Sequence, residues 1–132
     1  MKIVSISENQ NVEKRISITP EIAKKYISLG FEVILSENYG IHLGFSDQEY
    51  TSLGVNILNN HEEILKSGDI ILQVNILSDE NLKSLKEKQI LIGVLNPYSN
   101  KNKIDNLKNQ KVNSFSLELL PRITRAQSMD VL

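Results

Sequence analysis

The sequence predicts one α/β domain with a mostly parallel sheet covered on both faces by helices, and three observations carry that prediction. Short apolar, β-branched runs alternate with segments of helical periodicity, the pattern of successive βαβ units. Several of these runs, notably Ile70-Ile71-Leu72 and Leu91-Ile92, are apolar at every position, as expected of strands buried on both sides. The length, 132 residues, suits a single compact domain that buries on the order of two thirds of its unfolded surface.

Taken in order, the first strand is Lys2–Ile6. Thr19-Pro20-Glu21 then supplies an N-cap, a proline at the first helical position and an early acid, and Gly30 closes that helix. A second strand, Glu32–Ser36, leads through a loop at Asn38–Ser46 into a short helix around Asp47–Leu53. Val55–Leu58 is the third strand, followed by a helix with Asn60 and Glu63 at capping spacing and Gly68 as its stop. Asp69–Val74 is the fourth strand. Ser78-Asp79-Glu80 opens a helix that turns Leu82 and Leu85 inward, with Lys83, Lys86 and Lys88 late enough to suit its dipole. The fifth strand, Ile90–Leu95, a helix over about Asn100–Gln110 and a sixth strand, Val112–Leu117, complete the alternation. A last helix opens at Pro121, where Thr124 and Gln127 stand in the capping-box relation. It reaches Val131-Leu132 without a glycine, a basic last turn or a polar tail, so it reads as a cut helix and predicts that the 132 residues are part of something longer.

Composition removes several functional classes. Fifteen basic and sixteen acidic residues leave a net charge of −1, without the clustered Lys and Arg of a nucleic-acid surface. No apolar run approaches the ~20 residues that span a bilayer, and Met1-Lys2-Ile3-Val4-Ser5 turns polar too soon for a secretory signal. With no cysteine there is no disulfide, thiol nucleophile or thiolate ligand. A cytoplasmic domain is the expectation. Ile (17), Asn (14) and Lys (12) are abundant, as AT-rich coding DNA produces, whereas Arg occurs three times. Arg15, Arg122 and Arg125 are therefore candidates for positions where an ammonium does not replace a planar, bidentate guanidinium.

Most enzyme motifs are missing. The glycines at 30, 40, 44, 54, 68 and 93 never form G-x-G-x-x-G, so no dinucleotide pyrophosphate loop is encoded. His42 and His61 are the only histidines and read as ordinary loop or helix-end residues, so no metal site is expected. Two segments stand out. Glu13 to Pro20 joins the first strand to the first helix at the carboxyl end of the sheet, where such sheets bind ligands. Arg15 there serves either a ligand carboxylate or a surface ion pair worth at most about 1 kcal/mol. Pro121 to Asp130 places two arginines, an amide and an acid on a turn and a first helical turn, with Gln127 and Asp130 on one face. These form either a site or a capping box with an Arg–Asp pair.

These segments also carry a resemblance. PRITRAQSMDVL (121–132) resembles the PRISRAQSMD signature of the NAD(H)-binding component of proton-translocating NAD(P) transhydrogenases. EKRISITPEIAKKYISLGFEVILSENYG (13–40) is similar to the opening of the same family, whose superfamily includes alanine dehydrogenase, and Asp47 to Gly54 fits its D-x-x-Y-x-x-x-G pattern. The resemblance implies a Rossmann-like or flavodoxin-like three-layer domain spanning residues 1–132, incomplete, truncated at the start of the connecting helix and lacking the NAD-fingerprint domain. It further implies an oxidoreductase that passes hydride between NADH and NADP⁺, coupled to proton translocation, with this chain alone inactive. The implied cofactor is NAD(H), with no metal. The implied partners are the NAD-fingerprint domain of the same subunit, the NADP(H)-binding and membrane components, and a second copy in a homodimer, but no nucleic acid. The implied location is cytoplasmic, held at the inner membrane through partner subunits.

Matched position by position, the family's nicotinamide-positioning loop gives Arg122, Gln127 and Asp130, with Ile123, Thr124 and Arg125 lining the same site. Those residue types suit the reaction, because the cofactors carry the hydride chemistry and the protein supplies distance and orientation. In the alanine dehydrogenase branch, by contrast, a fourth-strand Lys binds the oxo-acid and a His beyond the fifth strand does acid–base work. Here those places hold Gln73 and Val94-Leu95-Asn96-Pro97. Transhydrogenases lack that His but usually keep the Lys, so Gln73 departs from both. Arg15 matches the superfamily's substrate arginine, and with Gln73 it reads as the vestige of an oxo-acid site. Two alternatives stand beside this reading: a fragment of an alanine-dehydrogenase-like amino-acid oxidoreductase, and a non-catalytic, flavodoxin-like interaction module. Gln73 and the missing His count against the first, and the Arg122, Gln127 and Asp130 set counts against the second.

Overall fold

The computed structural model describes residues 1–117. In chain order these form β1 (Lys2–Ser5), α1 (Pro20–Ser28), β2 (Glu32–Ser36), a 3₁₀ turn at Ile41–Leu43 and α2 (Asp47–Ser52). There follow β3 (Asn56–Leu58), α3 (His61–Ser67), β4 (Ile70–Asn75), α4 (Asp79–Leu82), β5 (Ile90–Val94), α5 (Lys101–Asn109) and β6 (Asn113–Ser116). All six strands run parallel, in the order β3-β2-β1-β4-β5-β6. That is the Rossmann order, which decides between the two sheet types the sequence left open.

The layering follows from this order. The chain winds outward from β1 to β2 and β3, then returns through α3 to place β4 on the other side of β1. Right-handed crossovers put the helices of the two windings on opposite faces. Accordingly Ala23 of α1 and Tyr50 of α2 pack with Ile3, Val33 and Leu35 on one face. Ile64 and Leu65 of α3, Leu82 of α4 and Leu107 of α5 pack with Val4, Ile34, Ile71 and Leu91 on the other. Neighbouring strand residues thus enter different cores, the physical reason for strands apolar at every position.

The helix starts are as the sequence predicts. Thr19, Ser46, Asn60 and Ser78 cap α1 to α4, each side chain accepting a backbone N–H three residues on. Gly30, at φ 96°, takes the left-handed conformation that ends α1. Gly68 also ends its helix but for another reason: a Cβ there would lie 2.5 Å from Val4 Cγ2, so the turn into β4 passes too close to β1 for any side chain.

Two expectations need correction. The helix opened by Ser78 ends at Leu82, so Lys86 and Lys88 lie beyond it and complement no dipole. The side-chain amides of two glutamines, Gln89 buried and Gln110 half-buried, organise this region instead. Gln110 Nε2 donates to the carbonyls of Leu82 and Leu85, while Gln89 donates to Leu65 and Gly68 and accepts from Lys86 N. The stretch read as a loop at Asn38–Ser46 contains the 3₁₀ turn at Ile41–Leu43. The helix predicted from Pro121 lies outside the described residues.

Candidate functional site

The direction of winding reverses between β1 and β4, and the crevice outside the carboxyl ends of those strands is where open α/β sheets bind ligands. A connected polar cluster fills this position. Its centre is Gln73 on β4, buried at 3% exposure. The Gln73 amide spans to the end of β1: Oε1 accepts from Ile6 N at 2.8 Å and faces Ser5 Oγ at 3.0 Å, and Nε2 donates to Ile6 O at 3.1 Å. The same Nε2 donates to Glu8 Oε2 at 2.7 Å.

A register shift makes room for this arrangement. Leu72 pairs with Ile92, but Asn75, three residues on, pairs with Val94, two residues on, so β4 carries one extra residue against β5. The freed amides turn to Glu8, which accepts from Val74 N at 2.9 Å and Asn75 N at 3.2 Å. Gly93 is required opposite, because a Cβ there would sit 2.1 Å from the Gln73 carbonyl oxygen.

The segment between β1 and α1 closes the crevice from above. Arg15 grips Glu13 with both arms of its guanidinium, Nε to Oε2 at 2.8 Å and Nη2 to Oε1 at 2.9 Å. Glu13 is 8% exposed and also accepts from Asn75 Nδ2 at 3.3 Å. The Arg15 guanidinium holds the Glu13 carboxyl well below the usual range, at about 2. On the β2 side, the buried Tyr39 hydroxyl accepts from Ser17 N (3.1 Å) and Ile18 N (3.3 Å). Its own proton is thus directed to Ser5 Oγ, 2.9 Å away. Burial raises the Tyr39 phenol to about 12, so it works here as a neutral hinge between three segments.

The structure therefore brings Arg15 and Gln73 into one cluster, linked through Glu13, Asn75 and Glu8. Of the two roles open to Arg15, the internal ion pair is the one formed, and its carboxylate is buried rather than a surface partner. His42 Nε2 lies against the Lys14 carbonyl at 2.8 Å, and His61 opens α3. Among the described residues no group of three His, Asp or Glu side chains could hold a metal ion. Arg122, Ile123, Thr124, Arg125, Gln127 and Asp130 lie outside the described residues. Sequence reasoning missed Glu8, Asn75 and Tyr39. Glu13, two residues from Arg15, was visible as a partner, whereas Glu8 meets β4 only through the sheet's long-range pairing.

Comparison with known proteins gives consistent results. A sequence profile described as alanine dehydrogenase/PNT, N-terminal domain, matches residues 5–132. The chain is 38% identical, over its full length, to an NAD(P) transhydrogenase subunit alpha polypeptide of Rickettsia prowazekii (strain Madrid E), of which it covers 36%. Among solved structures it superposes on the transhydrogenase of Sinorhizobium meliloti with a TM-score of 0.90 at 35% identity, covering 98% of this chain and 39% of that one. An L-alanine dehydrogenase shares the fold, with a TM-score of 0.83 at 20% identity over 89% of this chain and 32% of that one. The chain spans between about a quarter and little more than a third of the length of the curated relatives it matches.

Proposed function

The chain belongs to the alanine dehydrogenase/PNT N-terminal domain family, and on that basis we propose that it is the first domain of the NAD(H)-binding component of a proton-translocating NAD(P) transhydrogenase. In this reading residues 1–132 form one wall of a cleft, and a following domain with a glycine-rich fingerprint supplies the other. The described residues themselves do not fit a dinucleotide. No glycine stands between Ser5 and Gly30, and the amides exposed at the switch point are already bound by Glu8. This domain's task is then orientation rather than pyrophosphate binding.

The observation that carries the choice between the two branches of the family is the self-satisfied crevice. An oxo-acid substrate needs a free cation for its carboxylate, yet Arg15 is bound bidentately by Glu13, and the place of the expected lysine is Gln73, whose amide is spent on β1 and Glu8. This supports a transhydrogenase role over amino-acid oxidation. The chemistry proposed is hydride transfer between NADH and NADP⁺, which the cofactors supply. Arg122 donates to the nicotinamide carboxamide, Gln127 offers it both donor and acceptor, and Asp130 holds Arg122 or the amide in place. Ile123, Thr124 and Arg125 line the same contact.

The NADP(H)-binding and membrane components, and a second copy of the subunit, are the proposed partners. No helix among the described residues is long and apolar enough to cross a membrane, and attachment to the inner membrane is assigned to those partners. The test is stopped-flow hydride transfer in the assembled enzyme. Arg122→Ala and Gln127→Asn should each slow transfer at least tenfold while NADH affinity changes much less. Unchanged transfer would remove the loop from the mechanism, and alanine-dependent NADH formation would favour the other branch.

A further inference from the structure

Among the described residues, half of one sheet face carries no helix. On the face held by α3, α4 and α5, Ile71 of β4 and Leu91 of β5 are fully buried. Their neighbours along each strand point to the opposite face. There α1 and α2 pack over β1 to β3, and the core they build takes in Ile70 and Leu72 of β4. The register carries this row outward: Ile70 pairs with Ile90, and Leu72 with Ile92 and then Phe115 of β6. Paired residues of parallel strands project to the same side, so these five form one apolar strip across β4, β5 and β6. The first four are half-buried, and Phe115 is 54% exposed. Parallel strands are apolar on both sides because both sides are covered. This strip has the composition of a core and the exposure of a surface.

We propose that the strip is the seat of one amphipathic α-helix from the same subunit, supplied by polypeptide outside residues 1–132 and laying an uncharged, aliphatic stripe on Ile90, Ile92 and Phe115. The inference rests on the reading of this chain as the first domain of a longer component. Width sets the number of helices. From β4 to β6 are two inter-strand spacings, roughly 10 Å, and a helix with its side chains is about 10–12 Å across, so a single helix beside α1 covers the strip. Chemistry sets the stripe. The five side chains offer no charge and no hydrogen bond, so a Lys or Glu turned inward would be buried without a partner; apolar residues at i, i+3, i+4 and i+7 meet the requirement. Length sets the source. The matched region is 36% of the Rickettsia prowazekii polypeptide and 39% of the Sinorhizobium meliloti chain, so each holds ample polypeptide outside it. A tethered helix acts at a local concentration on the order of millimolar, which suits a cover that a parallel sheet needs at all times.

The chain contains no cysteine, so a single introduced thiol reports its own exposure. Phe115→Cys and Ile92→Cys are made separately, so that either decides should the other fail to fold. Leu29→Cys, at an exposed position at the end of α1, is the control. Each is reacted with a maleimide in the 132-residue chain and in the whole subunit. The two strip cysteines should react at least tenfold more slowly in the subunit than in the short chain, with Leu29→Cys equal in both. Equal rates at the strip in the two lengths overturn the proposal. Protection already present in the dilute short chain would assign the cover to residues 118–132, and protection that grows with its concentration would assign it to a second copy; either result overturns it too. Labelling reads no hydride transfer, so a subunit that protects the strip but fails the transfer test removes the transhydrogenase reading and leaves the helix seat standing.

Discussion

Replacing Gly93 by alanine tests the geometry on which the crevice rests. The added Cβ would stand 2.1 Å from the Gln73 carbonyl oxygen and 3.1 Å from its carbonyl carbon. Carbon and oxygen in van der Waals contact sit more than 3 Å apart, so about 1 Å of movement is needed, and the obstructing atoms are backbone. Either β5 moves off β4 or the extra residue in β4 is undone, and both break ladder bonds next to Leu72 and Ile92. Overpacking that a side chain can absorb costs roughly 1–3 kcal/mol; with a rigid obstacle and lost strand pairing, about 3 kcal/mol or more is expected. That is a large fraction of the ~5–15 kcal/mol that holds a domain of this size together. Urea unfolding followed by circular dichroism reads it as a lower midpoint at unchanged slope, and thermal unfolding as a drop of roughly 10 °C. Gly30→Ala is the control: its φ is 96°, but nothing lies within 4 Å of the new Cβ, so conformational strain alone should cost about 1 kcal/mol. A Gly93→Ala protein within ~0.5 kcal/mol of wild type would show that β4 does not carry its carbonyl where the register shift puts it.

Three further outcomes follow from the same network. Tyr39→Phe leaves Ser17 N and Ile18 N without their acceptor inside the core and should destabilise the chain by about 2 kcal/mol in urea; a neutral effect would mean that another acceptor reaches them. Glu13 has a depressed pKa, so its contribution is present above the ordinary carboxylate value and lost as pH falls towards about 2. The stability gap between wild type and Glu13→Gln should therefore hold constant from pH 6 to about pH 5 and narrow from there to pH 2 in stepped-pH denaturation, and a gap that stays constant to pH 2 would contradict the assignment. The chain alone should bind NADH no tighter than millimolar, because the described residues offer no pyrophosphate loop; saturable micromolar binding in titration calorimetry would contradict that.

The alternation of apolar runs and capped helical segments was enough to locate every described strand to within about two residues, because each signal is local. Thr19, Ser46, Asn60 and Ser78 cap the residues that follow them, and strand apolarity depends only on burial of both faces. The errors fall where distant chain intervenes. The helix after Ser78 stops at Leu82 and its last carbonyls are met by Gln110, about thirty residues on, so periodicity alone ran it too far. At the site, Arg15 and Gln73 were legible as chemistry-bearing residues, but their partners were not. Gln73 reaches Glu8 across 65 positions, and the Val74 and Asn75 amides that bind Glu8 lie where β4 and β5 fall out of register, a feature set by strand pairing rather than by local sequence.

The charge balance of the crevice explains why that hidden network matters for function. Among the described residues Glu8 and Glu13 face the single cation Arg15, so with both carboxylates ionised the cluster carries one net negative charge. A lysine in place of Gln73 would bring it to zero and leave an ammonium beside Glu8. At roughly 5 Å and an effective dielectric near 20, one unit charge acting on an incoming carboxylate is worth about 3 kcal/mol, or two orders of magnitude in affinity. If Gln73 stands where the proposed reading places a lysine, it turns the crevice from neutral to repellent towards a small organic anion, while its amide keeps β1 and β4 bridged. A domain whose switch point is closed by its own carboxylates is suited to act as a fixed wall, with its contribution to a reaction made by what the wall presents to a cleft.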